Sequence, residues 1–153
     1  MDTITAAAMS IDSPMVRALG LLLDNSLIYA GIVLLCVALG EGTDSKKRKI
    51  LLSVALAVVA ASLIKAVMAM DRPCVGQDWC PGDYSFPSVH ASAAFALMCG
   101  FLTKKSFPAY LLFALVTGFT RLNLGVHVFP DIAAALPIAM VSYYVVHLGD
   151  KDG

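Results

Sequence analysis

Residues Ile50 to Met70 read ILLSVALAVVAASLIKAVMAM, an apolar run with Lys65 as its only charged residue. A helix needs about 20 apolar residues to cross a bilayer, so this stretch predicts a transmembrane helix. The whole chain has the same character, because 59% of its 153 residues are hydrophobic and only 14% are charged. A soluble globule of this length could not bury so much apolar surface. The 11 basic residues are balanced by 11 acidic ones, which excludes nucleic acid as a partner.

Further apolar stretches lie on both sides of this one. They predict an all-α integral membrane helical bundle, a single domain over residues 1–153 with about five transmembrane helices. Residues 3–23 are expected to form helices in the membrane interface, because the polar triplet Asp24-Asn25-Ser26 is typical of a helix boundary with a capping residue. The alternative is one long, tilted helix from Pro14 to Leu39 that would bury Asp24. The expected spans cover residues 25–40, 50–70, 86–103, 107–124 and 131–148.

Basic residues between the expected spans predict the orientation of the bundle. A run of four occupies residues 46–49, the pair Lys104-Lys105 lies between the third and fourth spans, and Lys151 follows the fifth. Positive charge marks cytoplasmic loops, so we expect the loops at 71–87 and 122–131 to face outward. The chain is therefore predicted to be a multi-pass protein of the cell membrane.

A second set of ionisable residues falls at the outward ends of the expected spans. Ionisable groups at membrane depth are costly and are candidates for function. Three cations, Lys65, Arg72 and Arg121, would form a pocket for a multiply charged anion, because arginine presents a fork that matches phosphate oxygens. Pro87-Ser88 begins an expected helix, whose first N–H groups and positive dipole end also favour an anion.

Two histidines and an acid add reactive groups at the same level. His127 and Asp131 lie one helical turn apart, so the carboxylate can accept a hydrogen bond from one ring nitrogen and leave the other free to attack. His90 is then available to protonate a leaving oxygen. Together with the cations, these residues predict a phosphoryl-transfer site that uses neither a metal nor a cofactor.

In order and spacing, these residues closely resemble the type 2 phosphatidic acid phosphatase superfamily, which includes membrane lipid phosphatases and bacterial undecaprenyl-diphosphate phosphatases. The resemblance implies that His127 takes the phosphoryl group with Asp131 as its partner, while His90 protonates the departing lipid oxygen and later helps to activate water. It also implies a set of phosphate-binding residues, namely Lys65, Arg72, Ser88, Val89 and Arg121. The three motifs that carry it are Lys65 with Arg72-Pro73, then Pro87-Ser88-Val89-His90, then Arg121 with His127 and Asp131.

The chain departs from the family pattern at the second motif. Val89 stands where the family has a glycine before the histidine. Its backbone N–H can still point at phosphate, whereas its β-branched side chain narrows the pocket or restricts the loop. Thr120 stands where the family usually has serine, which is a mild change.

The short chain and its N-terminal helices resemble phosphatases of polyprenyl (undecaprenyl-type) diphosphates, which makes such a lipid the expected substrate, hydrolysed at the extracytoplasmic face. A phosphatidylglycerophosphate or phosphatidate phosphatase is the alternative enzyme. A non-catalytic membrane protein that binds lipid phosphate is a further alternative, although a mere binder would not need the histidines and Asp131. The expected partners are the lipid phosphate and membrane lipids, and homo-oligomerisation stays open.

The outward loop at 71–87 contains two cysteines and two acids near the motifs. Cys74 and Cys80 could form a disulfide or remain free thiols, and both alternatives stay open. Asp71 and Asp83 are interpreted as solvated loop acids.

Overall fold

Seven α-helices make up the fold over residues 1–148. The computed structural model of the chain describes residues 1–148, and no strand occurs within that range. The all-α class predicted from the sequence is thereby confirmed. The helices are α1 (Thr3–Met9), α2 (Pro14–Asp24), α3 (Ser26–Leu39), α4 (Asp44–Met68), α5 (Val89–Gly100), α6 (Phe107–Asn123) and α7 (Phe129–His147).

The helices differ in their capacity to cross a membrane. By length and hydropathy, α4 and α7 can each span a bilayer. Together α1 and α2 are long and apolar enough for one more span, but they are bent by 110° at the break between them. Helices α3 and α5 are shorter and apolar. The molecule is an all-α membrane bundle, and the number of five spans stays a prediction.

The bounds of two helices differ from the predicted spans. Helix α4 begins at Asp44, ahead of the predicted start at Ile50, because the Thr43 side chain accepts a hydrogen bond from the Lys46 N–H and caps it. Helix α5 is shorter than the predicted 86–103 span, since Ser88 is its N-cap. The basic run at 46–49 therefore lies in the first turns of a helix. Lys151 lies outside the described residues.

The junction of α2 and α3 was predicted with two alternatives. Asn25 has an extended backbone, with ψ 110°, and its side chain accepts hydrogen bonds from the N–H groups of Leu27 and Ile28. The predicted capping boundary is confirmed, and the alternative of one long helix from Pro14 to Leu39 is wrong.

Helix α5 lies at the centre of the bundle and packs against α4, α6 and α7. Every residue from Ala91 to Cys99 is buried, and alanines predominate among them. Small side chains let neighbouring helices approach closely in membrane bundles. The central position of α5 holds its N-terminus, with His90, among the ends of the surrounding helices.

The N-terminal helices are fastened to the ends of α6 and α7. The Thr5 hydroxyl accepts a hydrogen bond from the Phe129 N–H at 2.8 Å, at the start of α7. The Asn123 side chain, at the end of α6, donates to the carbonyls of Ala8 and Ile11 at 2.8 and 2.9 Å. Consequently α1 and α2 cover the end of the bundle that carries the candidate site.

Candidate active site

The predicted residues meet at one end of the bundle. Lys65 comes from the last turn of α4, His90 from the first turn of α5, Arg121 from the last turn of α6, and His127 from the loop before α7. They share a cavity of about 420 Å³. Its lining is completed by Asp24, Ser26, Ser62, Arg72, Pro81, Asp83 and Val89.

His127 and Asp131 form the expected pair. The distance from His127 Nδ1 to Asp131 Oδ2 is 3.1 Å, and both side chains are almost fully buried. The same carboxylate oxygen accepts hydrogen bonds from the Val128 N–H at 3.0 Å and from the Ser85 hydroxyl. Because Nδ1 faces the Asp131 carboxylate, which can only accept, the ring hydrogen is assigned to Nδ1 and the lone pair to Nε2.

The Nε2 atom of His127 lies beside one of the predicted cations, Arg72. Arg72 Nη1 lies 3.3 Å from it and also donates to the Val126 carbonyl at 2.8 Å. Burial lowers the pKa of His127 below the ordinary 6.5, although the hydrogen bond to Asp131 acts in the opposite direction. The imidazole is therefore neutral near pH 7, as a nitrogen nucleophile requires.

Lys65 and Arg72 share one acidic partner, Asp83. Lys65 Nζ lies 2.8 Å from Asp83 Oδ2, and Arg72 Nη2 lies 2.6 Å from Asp83 Oδ1. Partial burial raises the pKa of Asp83, but hydrogen bonds from the two cations outweigh this effect and hold that pKa below its usual range. The interpretation of Asp83 as a solvated loop acid was wrong, because two cations bind its carboxylate, whereas Asp71 is exposed.

Arg121 connects the site to the N-terminal helices. Its Nη1 donates to Asp24 Oδ1 at 2.5 Å and its Nη2 donates to the Gly20 carbonyl at 2.6 Å. Its Nε is buried and has no hydrogen-bond partner within residues 1–148. An unpartnered N–H of a buried guanidinium is costly unless a ligand completes it.

The three predicted residues at the start of α5 differ in whether they line the cavity. The Ser88 hydroxyl accepts a hydrogen bond from the Ala91 N–H, and the Ser88 N–H donates to the Asp131 carbonyl at 3.2 Å. Ser88 is fully buried and does not line the cavity, whereas Val89 and His90 do. The Tyr29 hydroxyl donates to the His90 carbonyl at 2.8 Å.

The loop that carries Arg72 and Asp83 is closed by a disulfide. Cys74 and Cys80 are bonded, with their Cα atoms 5.5 Å apart. Of the two alternatives left open by the sequence, the disulfide is the one that forms. It restrains the segment between the two partners of the Arg72–Asp83 ion pair.

Three residues whose side chains bond to the side chains of the predicted set within residues 1–148 were not identified from the sequence as site residues, namely Asp24, Asp83 and Ser85. The signal for Asp83 and Ser85 was their position just ahead of the Pro87 motif, but an irregular loop has no period that indicates where its side chains point. For Asp24 the signal was its place in the polar triplet. Within residues 1–148, no group of three or more His, Cys, Asp or Glu side chains could hold a metal ion.

The PAP2 superfamily model matches residues 46–152, which is more than half of the chain. The chain belongs to the PAP2 superfamily. Its members are phosphatases that act on lipid phosphates, and the resemblance seen in the three motifs is confirmed at the level of this superfamily. A comparison with curated proteins gives no match.

Two solved structures share the fold of this PAP2 chain. LpxE of Aquifex aeolicus superposes with a TM-score of 0.74 at 18% identity, over 94% of this chain and 92% of that one. The first transmembrane PAP2 type phosphatidylglycerolphosphate phosphatase from Bacillus subtilis superposes with a TM-score of 0.69 at 18% identity, over 97% of this chain and 83% of that one. At this identity the likeness establishes the fold alone, which this chain shares with both structures.

Proposed function

We propose that this PAP2 chain is a metal-independent phosphatase that hydrolyses a lipid phosphate at the extracytoplasmic face through a phosphohistidine on His127. The observation that carries the proposal is the position of His127 Nε2. This nitrogen faces a cavity lined by Lys65, Arg72 and Arg121, and its ring is oriented by Asp131. A nucleophile with an orienting carboxylate and a cationic phosphate cradle are the components that phosphoryl transfer needs.

The residues act in two steps. In the first, His90 is protonated once the phosphate dianion binds beside it. His127 Nε2 then attacks phosphorus, the bond from phosphorus to the bridging oxygen of the lipid leaving group breaks, and His90 gives its proton to that oxygen. In the second, water attacks phosphorus, the N–P bond breaks, and His90 takes the proton of the water. When the substrate binds, the Nη1–H of Arg72 donates its hydrogen bond to a phosphate oxygen instead of to His127 Nε2. The lone pair of Nε2 is then free to attack.

An apolar groove beside the catalytic cavity supports a lipid substrate. It has a volume of about 450 Å³, and it shares Ser26, Val89 and His90 with that cavity. Beyond these residues it runs between α3, α4 and α5, and its walls are mainly aliphatic. A hydrocarbon chain in this groove would place its phosphate end at His90 and His127. The remaining wall residues are Tyr29, Ala30, Val33, Leu34, Leu51, Val54, Ala55, Val58 and Ala93.

We propose a polyprenyl diphosphate as the preferred lipid. Its charged end joins the hydrocarbon directly, and the groove becomes apolar as soon as it leaves the cationic cavity. The Tyr29 hydroxyl, which lies on the groove, already donates to the His90 carbonyl and is not free to donate to a glycerol ester. A phosphatidylglycerophosphate phosphatase is the second candidate, since one of the two similar structures is a phosphatidylglycerolphosphate phosphatase.

The distribution of basic residues supports an extracytoplasmic site. The run at 46–49 begins α4, whereas Lys65 lies at the opposite end of the same helix. Lys104 and Lys105 join the end of α5 to the start of α6, again away from the cavity. Because positive charge marks the cytoplasmic side, the catalytic cavity would open on the other side.

The test is phosphate release by the purified chain in detergent with EDTA present. Polyprenyl mono- and diphosphates, phosphatidate and phosphatidylglycerophosphate are compared as substrates, and His127→Asn is the matched inactive variant. We expect release from the wild type, fastest with the polyprenyl diphosphate, and none from the variant. Wild-type protein that binds these lipids but releases no phosphate would instead support a non-catalytic binder.

A further inference from the structure

The carboxylate of Asp83 occupies the place that a phosphate would take. Its two oxygens are divided between the two cations, with Oδ2 at 2.8 Å from Lys65 Nζ and Oδ1 at 2.6 Å from Arg72 Nη2. Two oxygens of one phosphate group can bridge an ammonium and a guanidinium in the same way. All three groups line the catalytic cavity.

Exposure distinguishes the acid from its partners. The side chain of Asp83 is 55% exposed, while those of Lys65 and Arg72 are 10% and 7% exposed. The cations therefore form the floor of the site, and the carboxylate lies over them at the mouth. Asp83 belongs to the irregular loop before α5, where a side chain can turn outward without unwinding a helix.

We propose that Asp83 is a displaceable counter-ion that fills the phosphate position in the substrate-free enzyme and selects for substrates with a doubly charged phosphate group. The inference rests on the proposed function, because it takes the cavity to be the phosphate site. A buried cation without a partner is strongly unfavourable, so Asp83 stabilises the empty site. A phosphate dianion replaces the single negative charge of Asp83 and brings a second one, so the exchange increases the attraction to Lys65 and Arg72. A phosphodiester monoanion replaces only that one charge, so the exchange adds no attraction.

The opposite role is also testable. If Asp83 stayed in place during binding, it would position Lys65 and Arg72 for the substrate, and its removal would weaken phosphate binding. Under the proposed role, removal of the competing carboxylate strengthens phosphate binding. The two roles therefore predict opposite signs for one measurement.

The experiment compares full-length wild type, Asp83→Asn and the control Asp78→Asn in detergent, with inorganic phosphate as the probe. Asp78 is an exposed acid of the same loop and does not line the catalytic cavity. Calorimetric titration at constant pH gives Kd. We expect Asp83→Asn to bind phosphate about tenfold more tightly, the equivalent of one competing charge-assisted hydrogen bond, and Asp78→Asn to match the wild type. Equal or weaker binding by Asp83→Asn would overturn the proposal.

A measurement on the wild type covers the case in which Asp83→Asn does not fold. Amide hydrogen exchange is recorded with and without saturating phosphate. The Ser85 N–H donates to the Met70 carbonyl at 2.7 Å, two residues after Asp83. Displacement of Asp83 predicts faster exchange of this amide with phosphate bound, while exchange in α5 is unchanged. Slower or unchanged exchange of the Ser85 amide would refute the displacement. Failure of phosphate to bind the wild type at all would overturn the proposed phosphate site, and this inference with it.

Discussion

Ser85 is the residue whose replacement tests the catalytic pair most sharply. Its hydroxyl donates to Asp131 Oδ2, the oxygen that also holds His127 Nδ1. Ser85 is buried and does not line the cavity, so it has no direct contact with the substrate. Ser85→Ala therefore changes the orientation of the catalytic pair and leaves the substrate pocket as it is.

The size of the effect follows from the hydrogen bonds that remain. A hydrogen bond to a charged group contributes about 1.5–3 kcal/mol. The His127 ring and the Val128 N–H still hold Asp131, at 3.1 and 3.0 Å, so the lower end of this range applies. Since about 1.4 kcal/mol is a factor of ten in rate, we expect kcat to fall roughly tenfold with KM nearly unchanged.

Steady-state phosphate release in detergent measures both constants. The control is Ser53→Ala, which removes another buried serine hydroxyl, one that donates to the Lys49 carbonyl within α4. We expect this control to keep the wild-type kcat. A Ser85→Ala enzyme with wild-type kcat would show that Ser85 does not support the catalytic pair. A tenfold rise in KM with kcat unchanged would show that Ser85 contributes to substrate binding instead.

Three further predictions concern the ion pairs and the loop. Asp24→Asn leaves the buried Arg121 guanidinium without its carboxylate, so we expect the Tm in detergent to fall, and an unchanged Tm would show that this pair does not fasten α2 to α6. Because the pKa of Asp83 is depressed below 3.8, its stabilisation is present above that pH and is lost as the pH falls through the depressed value. The Tm difference between wild type and Asp83→Asn should therefore shrink below pH 3.8, and a constant difference would contradict this origin. Replacement of Cys74 and Cys80 by serine should destabilise the loop by about 2 kcal/mol and raise KM more than it lowers kcat, and kinetics equal to wild type would refute a role of the disulfide in holding Arg72.

The helices and the order of the site residues could be predicted because they depend on local signals. Long apolar runs predict α4 and α7, and Asn25 in its polar triplet predicts the break between α2 and α3. The four-residue spacing of His127 and Asp131 predicts their hydrogen bond, because Asp131 lies in the first turn of α7 and His127 comes directly before the N-cap of that helix.

The partners of the cations could not be predicted in the same way. Asp83 and Ser85 lie in an irregular loop whose course depends on tertiary contacts and on the Cys74–Cys80 disulfide. Asp24 meets Arg121 only because α2 packs against α6, which no feature of either segment indicates by itself. The sequence therefore predicts the charges that a phosphate would need, but it does not indicate the acids that neutralise them in the empty site.

A rapid-quench experiment shows whether His127 carries the phosphoryl group. Purified enzyme is mixed with polyprenyl diphosphate labelled with ³²P in its terminal phosphate, quenched in base, and digested for peptide mapping. We expect a transient, base-stable and acid-labile label on the peptide that contains His127, and no label on His127→Asn. Release of labelled phosphate in a single turnover by His127→Asn, or by wild type with no label at His127 at any time, would contradict it.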